Sequence, residues 1–121
     1  TYNTWPLMDG KFLPDGAFGH WLAPFEDVTT VQFNHRAMAL VLTAAIAALW
    51  LAVRRQAKSG PAQTASHLLL AAVALQFLIG GWALLEVVPV WLGALHQLGA
   101  VVVLTAALYQ AFALSTDITQ P

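Results

Sequence analysis

Hydrophobic and polar positions divide the chain into a mixed first quarter and three long apolar runs. The first run spans about Val31 to Val53 and is uncharged from Ala37 onward (AMALVLTAAIAALWLAV). The second spans about His67 to Val88, with Gln76 and Glu86 as its strongly polar interior residues, and the third spans Val90 to Leu114, with His96, Gln97 and Gln110. A helix of about 20 apolar residues crosses a hydrocarbon core of about 30 Å. Three segments cannot close a barrel, and lipid leaves no backbone group free to stay unpaired, so helices are the required form. The pattern predicts an all-α integral membrane protein with spans at about 31–53, 67–88 and 90–114.

The segments between the runs orient them. RRQAKSGPAQTAS carries Arg54, Arg55 and Lys58 before a Gly60-Pro61 breaker, and a short basic loop (54–66) belongs in the cytoplasm. Pro89 then centres a tight outer turn, and residues 1–30 form an extracytoplasmic loop ahead of the membrane bundle at 31–121. In that loop Lys11 is outnumbered by Asp9, Asp15, Glu26 and Asp27. Prolines at 6, 14 and 24 alternate with Trp5, Phe12, Phe18, Trp21 and Phe25, a mixture suited to the membrane interface. The segment beginning Thr1-Tyr2 has no start Met and no signal-like pattern, and reads as the interior of a longer protein.

Composition sharpens this. Of 121 residues, 59% are hydrophobic and 9% charged, against about 25% charged in ordinary soluble domains. A net charge of −1 with five scattered Lys and Arg gives no basic patch and excludes nucleic acid as a partner. With no cysteine, disulfides, iron–sulfur clusters and Cys-bound zinc are excluded.

Four histidines remain as candidate chemistry. His35 and His96 each lie a few residues inside a span that runs from outside to inside. At about 1.5 Å per residue both imidazoles sit roughly 6–8 Å below the outer surface. His67 opens the second span at the opposite face, and His20 lies in the outer loop. Ionisable residues within a span are costly and mark function, although a histidine can also simply hydrogen-bond a neighbouring helix. Zinc wants four ligands, and no third or fourth is at hand. Haem suits the pair better, because two trans imidazoles complete an iron already held by four porphyrin nitrogens. Gly99 and Ala39, one turn beyond each histidine, leave small flanks for a flat ring. Arg36 offers a fork for a haem propionate, and equally suits snorkelling to lipid headgroups. Glu86 lies at a similar depth and suits a solvated interfacial position, while Gln32 and Gln97 flank the histidines as orienting partners.

Three stretches carry a resemblance. Tyr2-Asn3-Thr4-Trp5-Pro6-Leu7-Met8-Asp9-Gly10, then Val31-Gln32-Phe33-Asn34-His35-Arg36, then Leu95-His96-Gln97 together resemble the C-terminal half of haem A synthases. That family implies eight transmembrane helices in two four-helix halves, each with a haem between two histidines. The N-terminal half takes the substrate haem O, and the C-terminal half keeps a haem b. The resemblance implies that His35 and His96 are its axial iron ligands, and that three helices of a four-helix haem-binding bundle are present. The first helix of that half and the whole substrate half are absent. The family's substrate half has a glutamate three residues before its first histidine. Gln32 holds that position here and cannot serve as a proton acceptor, which fits a structural or electron-transfer haem.

The function so implied is support of the oxidation of the haem O methyl to the formyl of haem A, for cytochrome c oxidase assembly. By this reading the full-length parent is the oxidoreductase, and this fragment alone is inactive. Its membrane is the bacterial inner membrane, with lipid around it, haem O in the missing half, and an electron partner and self-association left open. A b-type electron-transfer module and a cofactor-free assembly subunit are the alternatives.

Overall fold

The computed structural model describes residues 2–56 and 60–118; Thr1 and Lys58 lie outside the described residues. After an irregular stretch come α1 (Ala23–Glu26), α2 (Val28–Gln56), α3 (Pro61–Leu85) and α4 (Val90–Ile118). The last three are long and apolar enough to cross a membrane, and the protein is an all-α integral membrane protein. Only 17%, 17% and 11% of the most apolar window of each is buried. Most of their apolar side chains therefore face outward, which water would penalise and lipid does not.

The helices run further than the apolar runs. Helix α2 continues through Arg54 and Arg55 to Gln56, whose positive charges complement the helix C-terminus. Helix α3 opens at Pro61 rather than near His67. A proline in the first turn gives up an amide that has no partner there anyway, so hydropathy located the lipid boundary but not the helix boundary. His67 consequently lies in the second turn of α3 instead of opening it.

Asp27 starts α2. Its Oδ2 accepts from the Thr30 amide at 2.7 Å and the Thr30 hydroxyl at 2.6 Å, an N-cap that satisfies an otherwise free helix amide. The Thr30 hydroxyl oxygen in turn accepts from the Phe18 amide at 3.0 Å, tying the N-terminal loop to the helix start. At the other hairpin, α3 closes with bonds from Val88 N to Ala83 O at 2.7 Å and from Val87 N to Leu84 O at 3.2 Å. This is a Schellman ending, made with Val87 and Val88 at φ 60° and 53°, which β-branched residues rarely adopt.

Helix α3 lies between the other two and packs on both, while among the described residues no Cα of α2 comes within 8 Å of α4. Deep in the bundle, Ile46 of α2 and Leu69 and Val73 of α3 cluster with Val103, Ala106 and Ala107 of α4. Nearer the basic end, Val53, Ala62, Ala65 and Ala113 form a second cluster. Alanines allow this close packing without a water-driven hydrophobic term. The hydroxyls of Thr43 and Thr105 donate to the Ala39 and Val101 carbonyls one turn back, removing two polar groups that lipid would leave unpaired.

The Asp27 carboxyl is held below the ordinary value of 3.8, chiefly by the Thr30 hydroxyl and then by the Thr30 amide. A depressed carboxylate stabilises the fold above its unfolded pKa, and the contribution is lost as pH falls through the folded value. Amide exchange at Thr30 and Phe18, corrected for intrinsic rate, should therefore be slow near neutrality and speed up only when the pH drops below 3.8. Asp27→Ala should abolish that protection at every pH.

Candidate haem-binding site

Near the end of the bundle where α2 and α4 begin, His35 of α2 and His96 of α4 reach toward each other. Their ring centroids are 6.2 Å apart with planes inclined by 75°. Among the described residues no Cα of α2 comes within 8 Å of α4, and these two side chains span the gap at this depth. A metal–imidazole bond is about 2 Å long; two such bonds plus the two ring radii fill a separation of this size. Nδ1 of His96 is buried without a hydrogen-bond partner, and His35 is exposed. Among the described residues no group of three or more His, Cys, Asp or Glu could close a metal site. The pair thus fits an ion whose remaining ligands come from elsewhere, as a planar tetrapyrrole supplies them.

The other histidines lie away from the pair. Nδ1 of His67 is 2.6 Å from the Gln63 carbonyl oxygen, and its ring meets Trp50 edge-on at 5.9 Å. Arg54 lies over the same Trp50 at 5.2 Å, an arrangement of the basic end. His20 is an exposed loop residue whose carbonyl caps the start of α1 by accepting from Ala23 N at 3.1 Å.

Arg36 departs from the lipid-headgroup expectation. It is 8% exposed, which is not a snorkelling position, and its terminal nitrogens hold the outer loop. NH1 donates to the Thr4 carbonyl at 2.9 Å and NH2 to the Tyr2 carbonyl at 2.9 Å; the Pro6 and Leu7 carbonyls stand at 3.5 Å from NH1. Only Nε is left without a partner. Trp5 lies 5.7 Å below the guanidinium and meets Phe77 of α3 edge-on at 5.4 Å. Carbonyls attract this cation because the loop backbone, lacking helix or sheet, has acceptors to spare.

Gln32 does the same work from one turn earlier. Its Oε1 accepts from Tyr2 N at 3.0 Å while its Nε2 donates to Tyr2 O at 2.6 Å, as a neighbouring strand would. The loop continues through a two-residue turn in which Met8 and Lys11 exchange bonds of 2.9 and 3.1 Å. Asp9 and Gly10 take φ 49° and 81° there, the pattern that favours Asp-Gly in such turns. Met8 is buried, 2% exposed, and Lys11 pairs with Asp15. The stretch 2–11 is a folded cap on the histidine end of the bundle, and the loop motif in the sequence is that cap.

Sequence reasoning missed the surroundings of His96. Gln97 is exposed and Glu86 is the exposed C-cap of α3. It is Gln76 of α3 that reaches His96, donating from Nε2 to its carbonyl oxygen at 2.7 Å. Gly99 does not clear space for a ring: a Cβ there would lie 2.0 Å from Gln76 Oε1. The imidazole itself rests on Gly80, where a Cβ would lie 2.8 Å from His96 Cε1. The available signal was Gln76 itself, an amide in mid-membrane that needs a partner.

A transmembrane helical bundle with two imidazoles facing across a gap, capped at the end where α2 begins, defines an integral membrane protein with a candidate cofactor site between α2 and α4. Residues 1–108 match the COX15-CtaA model, described as cytochrome oxidase assembly protein, and the chain belongs to that family. It is 45% identical over 113 residues to a protein named heme A synthase from Nitrosospira multiformis, covering 89% of this chain and 31% of the relative. It is 44% identical over 117 residues to a heme A synthase from Parvibaculum lavamentivorans, covering 94% and 33%. A heme A synthase from Caulobacter vibrioides is 41% identical over 109 residues, covering 88% and 32%. The chain thus spans about a third of the length of these relatives. No solved structure gives a significant match.

If Arg36 and Gln32 hold the cap, trypsin should report it at Lys11, whose side chain is 54% exposed. Charge-assisted bonds contribute about 1.5–3 kcal/mol each, so Arg36→Ala should accelerate cleavage there by more than tenfold. Arg36→Lys should give a smaller rise, because one ammonium cannot reproduce the fork. Gln32→Glu keeps the acceptor, loses the donor and sets two oxygens face to face, so it too should speed cleavage. Wild-type rates in all three would remove the cap's proposed fastening.

Proposed function

We propose that this chain is the haem b half of a haem A synthase, corresponding to the family's C-terminal half, with His35 and His96 as the two axial ligands of the iron. The reading is carried by one observation: these imidazoles lie 6.2 Å apart on helices whose described Cα atoms stay more than 8 Å from each other, in a chain whose relatives are named heme A synthase. The complete enzyme oxidises the methyl group of haem O to the formyl group of haem A for cytochrome c oxidase assembly. The substrate half lies elsewhere in that enzyme, and this segment alone is inactive.

A bound haem supplies a reversible one-electron iron couple. The residues of this chain supply position and surroundings. His35 and His96 would hold the iron, one from each of the two helices that pack on α3. Arg36 acts on the site through the cap, with Nε as its remaining donor toward a propionate. Gln32 needs both its donor and its acceptor for Tyr2, so it fastens the loop and moves no proton. Trp5 and Met8, buried or packed beneath the cap, keep outer water away from the histidine end. A dry, apolar shell of this kind tunes the potential of a buried iron.

We read the end of α2 that carries Arg54 and Arg55 as the cytoplasmic end, with the segment before α2 outside a bacterial inner membrane; the basic residues at that end support this orientation. In the full-length protein, cysteines at Asp15 and Gln56 should react with an impermeant thiol reagent from opposite sides. Labelling of both from one side would overturn this orientation.

The ligands are tested by optical and EPR spectra of the purified full-length protein. His35→Ala or His96→Ala should convert this haem from low toward high spin with partial loss of the cofactor, and the double variant should empty the site. His67→Ala and His20→Ala should leave the spectrum unchanged. A low-spin spectrum surviving in His96→Ala, or lost in His67→Ala, would show that another pair ligates the iron.

A further inference from the structure

We propose that Gln76 is the positioning residue for His96, and that it acts through a reciprocal interlock with two glycines; its effect on an iron ligand rests on the function proposed above. Gln76 Nε2 donates at 2.7 Å to the carbonyl of the very residue whose imidazole faces His35. That carbonyl lies inside α4, where the helix uses one lone pair and leaves the other free. Along antiparallel α3 and α4 two long side chains each enter the other helix's glycine notch. The Gln76 amide fills the space over Gly99, whose Cβ would lie 2.0 Å from Oε1 and 3.1 Å from Cδ. One turn along, the His96 ring fills the space over Gly80, with Cε1, Nδ1 and Nε2 at 2.8, 3.4 and 3.5 Å from a Cβ there.

Packing alone does not call for an amide. A methionine would fill the Gly99 notch without leaving Oε1 buried and unpartnered, as it is now. The amide adds a directional bond, and that bond ends on His96. Two contacts one turn apart fix both the height of α4 along α3 and its rotation. Together they set where the imidazole stands and how its plane is inclined to that of His35. Gly81 is the natural control, since a Cβ there meets nothing within 4 Å.

The test uses the full-length protein with Gln76→Met, Gly99→Ala and Gly81→Ala. Gln76→Met removes the bond and keeps the reach, while Gly99→Ala displaces the amide and leaves it intact. Two readouts separate the levels: the ring nitrogen resonances of 15N-labelled histidine in the haem-free protein, and the largest low-spin EPR g value of the haem-loaded protein. His96 is assigned in the first by its loss in His96→Ala. Gln76→Met and Gly99→Ala should both shift the His96 resonances and the g value and leave those of His67 in place, and Gly81→Ala should shift neither. Wild-type resonances and g value in Gln76→Met overturn the positioning role. Should Gln76→Met fail to fold, the same null result in Gly99→Ala overturns it. Shifted His96 resonances in a protein that gives no low-spin spectrum, wild type included, would sustain the positioning role and overturn the haem reading.

Discussion

Helix α3 keeps α2 and α4 apart, and the spacing it enforces governs the outer half of the molecule. Two membrane helices free to meet would close on each other through van der Waals packing, because lipid gives them no other reason to stay separate. Here both bind the middle helix instead, through Ile46, Leu69 and Val73 and their alanine and valine neighbours, and among the described residues no Cα of α2 comes within 8 Å of one in α4. What crosses the space between them must be a side chain or something held by side chains. His35 and His96 are the residues placed to do so.

The cap follows from the same lack of solvent. A guanidinium buried at the edge of a bilayer needs acceptors, and an irregular loop has carbonyls that need donors. Joining Arg36 to Tyr2 and Thr4 resolves both needs at once. Because the bonds end on backbone oxygens, the loop is recognised by its path more than by its side chains. Trp5, Met8 and the Asp9-Gly10 turn then earn their places by shaping that path: one packs on Phe77, one is buried, and the turn reverses the chain.

The three helices were legible because hydropathy is a one-dimensional signal and the bilayer imposes a length. The pairing of His35 with His96 was legible for a related reason: depth along a span can be counted from its ends. Their proposed role as iron ligands rested first on that matched depth and then on the family resemblance. The extra turns of α2 and α3 were hidden because Arg54, Arg55 and Gln63 end the lipid signal without ending the helix. The loop partners of Arg36 were not legible because they are backbone carbonyls, and every residue has one. Gln76, Gly80 and Gly99 could not be matched from sequence, since which residues face each other depends on the rotation of two helices about their own axes.

That rotation gives the glycine pair a further meaning. An α-helix turns by about 100° per residue, so sliding α4 one residue along α3 while keeping it packed would swing His96 away from His35 altogether. Errors of height and errors of direction are therefore the same error in this hairpin. The notches at Gly80 and Gly99 act as an index, accepting one setting of α4 and obstructing its neighbours. Membrane helices packed through smooth Leu and Val surfaces have many settings of similar energy. A pair of missing side chains is enough to choose among them.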